Sequence, residues 1–192
     1  MDPFSYLSVL ISIVLALGMT RVVTGIGEMI QGGPRRRLYW IHAVWILNLF
    51  NFLVIAWWIF YRWRSHGPWT YFLFLFVLIS PTILYLAAVV LFPPERTLES
   101  AEHDYRKHFY ANRRSFFLLF LVWVPVDVAD TLLKGTAHFF ELGPAYIASA
   151  LIMTTGFSIA AFTKNERFHA CFAIYFVCHT IAITFAFFRT LM

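Results

Sequence analysis

The chain has 192 residues, of which 60% are hydrophobic, 20% aromatic and only 13% charged. A soluble domain is typically ~45–50% apolar and ~25% charged, so this composition excludes an ordinary soluble globular domain. The formal net charge is +5, but the basic residues lie in short loops between apolar segments, which excludes a separate basic module for nucleic acid.

Six apolar segments are long enough to cross a bilayer, which takes ~20 apolar residues each. Because lipid offers no hydrogen-bond partner to an open strand, each segment is predicted to be an α-helix. The predicted fold class is therefore an all-α integral membrane protein, a bundle of six transmembrane helices that forms a single domain over residues 1–192. The predicted spans, numbered one to six, are residues 4–30, 38–61, 69–92, 115–133, 144–162 and 168–188.

A polar stretch, residues 94–114, separates the third span from the fourth. Its charge density makes insertion prohibitive, so it is predicted to be a short cytoplasmic interfacial helix and not a seventh span. Glu99 with His103 and Asp104 with His108 are each four residues apart and could chelate a metal. A solvated helix face is the favoured interpretation of both pairs.

Loop charge predicts the orientation. Ten basic residues lie on one side of the predicted membrane and four on the other. By the positive-inside rule the richer side is cytoplasmic, so both termini are predicted to lie outside. The predicted location is the cytoplasmic membrane of a prokaryote. The two sets are Arg35, Arg36, Arg37, Arg96, Arg106, Lys107, Arg113, Arg114, Lys164 and Arg167 against Arg62, Arg64, Lys134 and Arg189.

Polar residues within the spans are the candidate functional residues, because a charged side chain at the bilayer centre costs ~2.5–3.5 kcal/mol on insertion scales. At ~1.5 Å per residue, Asn51, Asp127 and His179 fall at a similar depth near the midplane. Asp127 and Asp130 are three residues apart and share a helical face. The predicted polar core consists of Arg21, Asn48, Asn51, Ser80, Thr82, Asp127, Asp130 and His179.

Three interpretations of this core remain open. In the first, its residues satisfy one another, with Asp127 inside the bundle and within direct or one-water reach of His179 or Arg21. In the second, they line a water-filled path for an ion or proton, since Asp and His serve in such relays. In the third, Asp127, Asp130 and His179 are metal ligands, although nothing in their spacing demands a metal. Haem between His42 and His179 is disfavoured, because these differ by ~12 Å in depth.

Small residues predict close helix packing in segments one and five. Gly18 and Gly25 share a face of segment one, and Gly156 and Ala160 share a face of segment five. A homo-oligomer with one of these faces at its interface is predicted, because lipid provides no hydrophobic force between helices. Gly25→Leu or Gly156→Leu is then expected to disturb assembly.

No catalytic motif is recognisable: the sequence has no HExxH, no CxxC, no phosphate loop and no Ser-His-Asp constellation. No catalytic residue, metal or cofactor is predicted. The first hypothesis is a small channel or transporter for an ion, proton or small solute, surrounded by lipid. The alternative is a non-catalytic subunit or scaffold that packs against a membrane-protein partner, and the third is a membrane enzyme or a metal- or haem-binding protein.

Overall fold

The structure is a computed structural model that describes residues 3–31, 36–94 and 103–187. Most of these residues are helical. The helices are α1 (Pro3–Gln31), α2 (Trp40–Tyr61), α3 (Tyr71–Leu91), α4 (Tyr105–Leu133), α5 (Thr136–Glu141), α6 (Gly143–Phe162) and α7 (Glu166–Phe187). A 3₁₀ turn, Arg62–Ser65, follows α2, and two short strands, β1 (Arg36–Arg37) and β2 (His103–Asp104), pair in parallel.

Six helices among the described residues are long and apolar enough to cross a membrane: α1, α2 with its 3₁₀ turn, α3, α4, α6 and α7. Each overlaps one of the six apolar segments predicted from the sequence. Residue 188, the last of the predicted sixth span, lies outside the described residues. The prediction of six helices of membrane-spanning length is confirmed.

Local side-chain chemistry sets the helix ends. The Thr70 hydroxyl accepts the N–H of Leu73 at 3.2 Å and caps the start of α3. Gly135 and Gly143 have φ values of 124° and 69°, which side chains with a Cβ rarely adopt. These two glycines end α4 and begin α6, with the short α5 between them.

The predicted interfacial helix over residues 94–114 is not confirmed. Residues 95–102 lie outside the described residues, and His103–Asp104 forms β2. From Tyr105 onward the chain already belongs to α4, which continues without a break into the fourth apolar segment. The Asp104 carboxylate caps this helix by accepting the N–H groups of Arg106 and Lys107 at 2.9 and 3.1 Å. No proline or glycine then interrupts the polar turns before Ser115.

Aromatic side chains fill the centre of the bundle. Trp45 of α2 is fully buried, and its ring lies 5.0–6.3 Å from the rings of three α4 phenylalanines and two α7 phenylalanines. Phe157 of α6 stacks on one of these α4 rings. We call this set the aromatic core: Trp45, Phe52, Phe116, Phe117, Phe120, Phe157, Phe172 and Phe176. It holds α2 between α4 and α7, while α3 packs against α1 on one side and α4 on the other.

The bundle has two chemically distinct ends. The basic end contains β1, β2, the start of α4 and the loop 163–165. The Trp63 end contains the 3₁₀ turn, Lys134 and α5. Phe4 stacks on Phe60 with ring centroids 5.2 Å apart, which places the start of α1 at the Trp63 end. Because α7 lies parallel to α2, its last residues reach the same end.

The glycines of α1 and α6 make close helix contacts, as predicted, but within one chain. A Cβ at Gly25 would overlap the ring of Phe92 at the end of α3. A Cβ at Gly156 would overlap the ring of Phe172 on α7. These positions therefore belong to the fold of the single chain, and substitutions there test folding and not assembly. The homo-oligomer itself stays a prediction.

Candidate functional site

Two carboxylates of α4 lie near the Trp63 end of the bundle. Asp127 and Asp130 occupy one face of the helix, where α4 meets α3 and α6. Asp127 is six residues before Leu133, so it lies ~9 Å inside that end of the helix. The two carboxylates have different partners, and the charge of the partner differs between them.

Asp130 is buried and its charge is compensated. The indole Nε1 of Trp63 donates to Oδ1 at 2.8 Å, and Lys134 Nζ donates to Oδ2 at 2.5 Å. Lys134 is also buried, donates to the Ile59 carbonyl at 3.2 Å, and lies 5.2 Å from the centroid of the Trp63 ring. Asp130 and Lys134 therefore neutralise each other, and we assign this ion pair a structural role in the bundle.

The turn above this ion pair is fixed by a histidine. His66 Nε2 lies 3.0 Å from the Lys134 carbonyl, and Nδ1 lies 3.0 Å from the Arg62 carbonyl. The imidazole therefore connects the turn after α2 to the end of α4. Beside it, burial lowers the pKa of His138, and the nearby Arg62 and Lys134 cations lower it further. His138 consequently stays neutral to lower pH than an exposed histidine does.

Asp127 has a neutral partner. The Tyr146 hydroxyl of α6 donates to Oδ2 at 2.9 Å, and the Thr131 hydroxyl lies 3.2 Å from the same tyrosine oxygen. Within the described residues no basic side chain forms a salt bridge with Asp127. A carboxylate in an apolar helix thus receives a hydrogen bond but no salt bridge from the described residues.

A small cavity of about 30 Å³ lies beneath Trp63 and is lined by both carboxylates. Its other walls come from α1, α2 and α3, and include Ser80 and Pro81. Trp123 Nε1 donates to the Ser80 hydroxyl at 2.8 Å, which fixes that side chain. The cavity has the volume and polar groups that an internal water molecule requires.

Within the described residues, His179 forms no hydrogen bond with Asp127. Its Nε2 is 3.0 Å from the Ser149 hydroxyl. Ser149 and Tyr146 are three residues apart on α6, so α6 presents one polar group to α4 and another to α7. The structure therefore brings Asp127, Asp130 and Ser80 together at one cavity and places His179 one helix away.

Arg21 lies at the opposite end of the bundle from Asp127, so the structure does not support the predicted pair between them. α1 runs from the Trp63 end, and residue 21 has reached the basic end. There Arg21 Nη2 donates to the Pro93 carbonyl at 2.8 Å, Nη1 lies 3.5 Å from Glu28, and the guanidinium lies 5.0 Å from the Phe92 ring centroid. These contacts attach α1 to the end of α3.

The remaining predicted core residues do not form one layer with Asp127. Asn48 is buried ~12 Å from the basic end of α2 and donates to the Ala173 carbonyl at 3.1 Å. Asn51 is half-buried, whereas Thr82 is exposed and donates to Leu78 of its own helix at 2.7 Å. None of these three residues lines the cavity beside Asp127, because equal depth does not by itself put side chains on facing sides of their helices.

Three residues of the site were missed by the sequence analysis: Trp63, Lys134 and Tyr146. Lys134 gave a usable signal, because it follows Asp130 by four residues and so shares its helical face. It had been counted only as a loop charge. Nothing in the sequence marks Trp63 or Tyr146 as a partner of these carboxylates.

Among residues 3–31, 36–94 and 103–187, no group of three or more His, Cys, Asp or Glu side chains is arranged to hold a metal ion. Comparison of the chain with protein-family models, with characterised proteins and with solved structures found no significant match.

Proposed function

We propose that this protein is a small integral membrane transporter that moves a proton or small cation by way of Asp127. The observation that carries the proposal is the contrast between two neighbouring carboxylates beside one cavity. Asp130 is neutralised by Lys134, whereas Asp127 is bonded to the neutral hydroxyl of Tyr146.

The energetic argument starts from the cost of an uncompensated charge in a bilayer. Ionised Asp127 needs a counter-charge, which the described residues do not provide as a salt bridge. A bound proton would neutralise the carboxylate, and a bound small cation would balance its charge. Either can leave again because neither is part of the fold. The adjacent cavity has room for the water that such an exchange requires.

The aromatic core favours a gated transporter over an open channel. Its rings occupy the space between α2, α4 and α7, on the basic-end side of Asp127. We therefore propose that the site communicates with water at the Trp63 end and that passage to the basic end requires the helices to move.

We also propose how the chain is placed in the membrane. Apolar side chains are exposed along all six long helices, which suits contact with lipid. The charge bias of the loops favours a cytoplasmic basic end and outward termini, in the cytoplasmic membrane of a prokaryote.

A second candidate function is that of a non-catalytic subunit. An apolar surface groove of about 480 Å³ lies between α6 and α7. Leu151, Ile152 and Ile159 line it from α6, and Phe168 and Tyr175 line it from α7. A helix of a partner chain or of a second copy would fill such a groove, and the homo-oligomer proposed here would use it.

The two functions predict different results in liposomes. Purified protein reconstituted with a pH-sensitive or cation-sensitive dye inside should dissipate a gradient of protons, sodium or potassium faster than protein-free liposomes do. Asp127→Asn keeps the size and the acceptor for Tyr146 but removes titration, so flux should fall to the protein-free level while the melting temperature barely changes.

Thr154→Val is the matched control, because Thr154 is exposed and its hydroxyl bonds only to Ala150 of its own helix. This variant should transport at the wild-type rate. Wild-type flux in Asp127→Asn, or no flux of any of the three ions in the wild type, would contradict the transport proposal and favour the subunit.

A further inference from the structure

A second cavity lies at the basic end, far from the carboxylates. It is an open surface pocket of about 370 Å³, lined by Asp104, Arg106, Lys107, Tyr110 and Lys164. The first turns of α4 provide Arg106, Lys107 and Tyr110, β2 provides Asp104, and the loop between α6 and α7 provides Lys164. The pocket thus joins two parts of the chain at the end where the basic residues concentrate.

The charges around the pocket leave two cations available. Arg106 is paired with Glu166, with Nη2 and Oε2 2.6 Å apart. Asp104 is engaged as the cap of α4. Lys107 and Lys164 are both exposed, and neither forms a salt bridge within the part of the chain that the structure describes.

Hydrogen bonds fix Tyr110, which lines the pocket. The Tyr110 hydroxyl lies 3.1 Å from the Tyr39 hydroxyl, and burial raises the pKa of Tyr39, which keeps that hydroxyl neutral. Arg113 donates to the Tyr110 carbonyl at 2.6 Å and to the Thr163 carbonyl at 3.0 Å. The guanidinium of Arg113 therefore fixes the loop that carries Lys164 and adds positive charge beside it.

The pocket lies at the level where long helices end. α6 ends at Phe162 and α7 begins at Glu166, so Lys164 stands directly beyond two helices of membrane-spanning length. Trp40, at the same end, is exposed, as is common where a helix meets lipid headgroups. If the chain spans a bilayer as proposed above, the pocket opens at the depth of the headgroup phosphates.

We infer that this pocket binds the phosphate of an anionic phospholipid headgroup, with Lys107 and Lys164 as its principal cations and the Tyr110 hydroxyl beside them. Basic pockets between transmembrane helices on the cytoplasmic side recognise anionic headgroups in this way. The inference rests on the proposed membrane placement but not on transport, so the two can fail separately.

The test measures binding of phosphatidylglycerol to the purified full-length chain in neutral detergent, by native mass spectrometry and by the lipid-induced rise in melting temperature. Phosphatidylcholine is the neutral comparison. The double variant Lys107→Gln/Lys164→Gln should lower the affinity for phosphatidylglycerol about tenfold or more. Binding of phosphatidylcholine and proton or cation flux should not change.

Two further variants separate charge from fold. Lys107→Arg/Lys164→Arg keeps both charges and should bind as the wild type does. Arg64→Gln removes an exposed cation at the Trp63 end, where Arg64 contacts Tyr61, and should also leave binding unchanged. Wild-type affinity in the double glutamine variant would overturn the inference, as would an equal loss of affinity in Arg64→Gln.

Inorganic phosphate distinguishes the two sources of the same chemistry. If the pocket binds lipid, free phosphate should raise the melting temperature of the protein only a little, because phosphate lacks the acyl chains that hold a headgroup at the pocket. If inorganic phosphate stabilises the wild type as much as phosphatidylglycerol does, and the double glutamine variant loses that effect, the pocket takes a soluble phosphate compound and the lipid assignment is wrong.

Discussion

Asp130→Asn is expected to destabilise the fold by about 3–5 kcal/mol, because it leaves a buried ammonium without its counter-charge. Lys134 is 8% exposed, and Asp130 is its salt-bridge partner. The asparagine keeps an acceptor for Trp63 Nε1, so the loss isolates the charge and not the hydrogen bond. Unfolding of the purified protein in detergent, followed by circular dichroism, measures the effect.

The double variant Asp130→Leu/Lys134→Met is the control for this result. Removing both members of a buried pair is often neutral, since no charge is left without a partner. The double variant should therefore be more stable than Asp130→Asn alone. If the single variant loses less than about 1 kcal/mol, the value of an exposed pair, then Lys134 reaches water and the structural role given to this pair is wrong.

Gly25→Leu should have the second large effect, a loss of about 3 kcal/mol or more. Overpacking costs typically 1–3 kcal/mol, and here even a Cβ overlaps the Phe92 ring, which Arg21 also covers. Leucine adds three further carbons to that overlap. The measurement is again unfolding in detergent, together with the fraction of protein recovered in folded form.

Gly27→Leu is a matched control in the same helix. A Cβ at Gly27 would meet no atom within 4 Å, and leucine has the better helix propensity, so stability should stay the same or rise. If Gly25→Leu instead leaves stability unchanged and alters the mass of the protein in detergent, this glycine lies at an interface between chains. The original expectation about assembly would then be correct.

The helices were predictable because their signal is simple. A run of ~20 apolar residues has few alternatives to a membrane-length helix, and six such runs gave six such helices. The first residue of α4 was harder to predict from the sequence. Residues 105–114 are polar, and polarity indicates where a helix leaves an apolar environment but not where the helix itself begins. The cap at Asp104 determines that start.

The partners of the polar residues were much less predictable. Sequence gives the depth of a residue along its helix, but the direction of its side chain depends on how each helix is rotated against its neighbours. Arg21 and Asp127 do not meet for another reason, since they lie at opposite ends of the bundle. Asp127 was chosen as a candidate because its cost in lipid requires an explanation, whereas Tyr146 carries no such cost and gave no signal.

Transport by way of Asp127 requires that this residue communicates with water at the Trp63 end and not at the basic end. Side-specific labelling of Asp127→Cys with a small charged thiol reagent tests it, in liposomes of known orientation and in a chain whose free Cys171 and Cys178 are replaced by alanine. Ser65→Cys and Arg36→Cys mark the two sides. We expect position 127 to react from the side that labels position 65 and to be protected from the side that labels position 36. Reaction only from the side of position 36, or from neither side, would contradict the account.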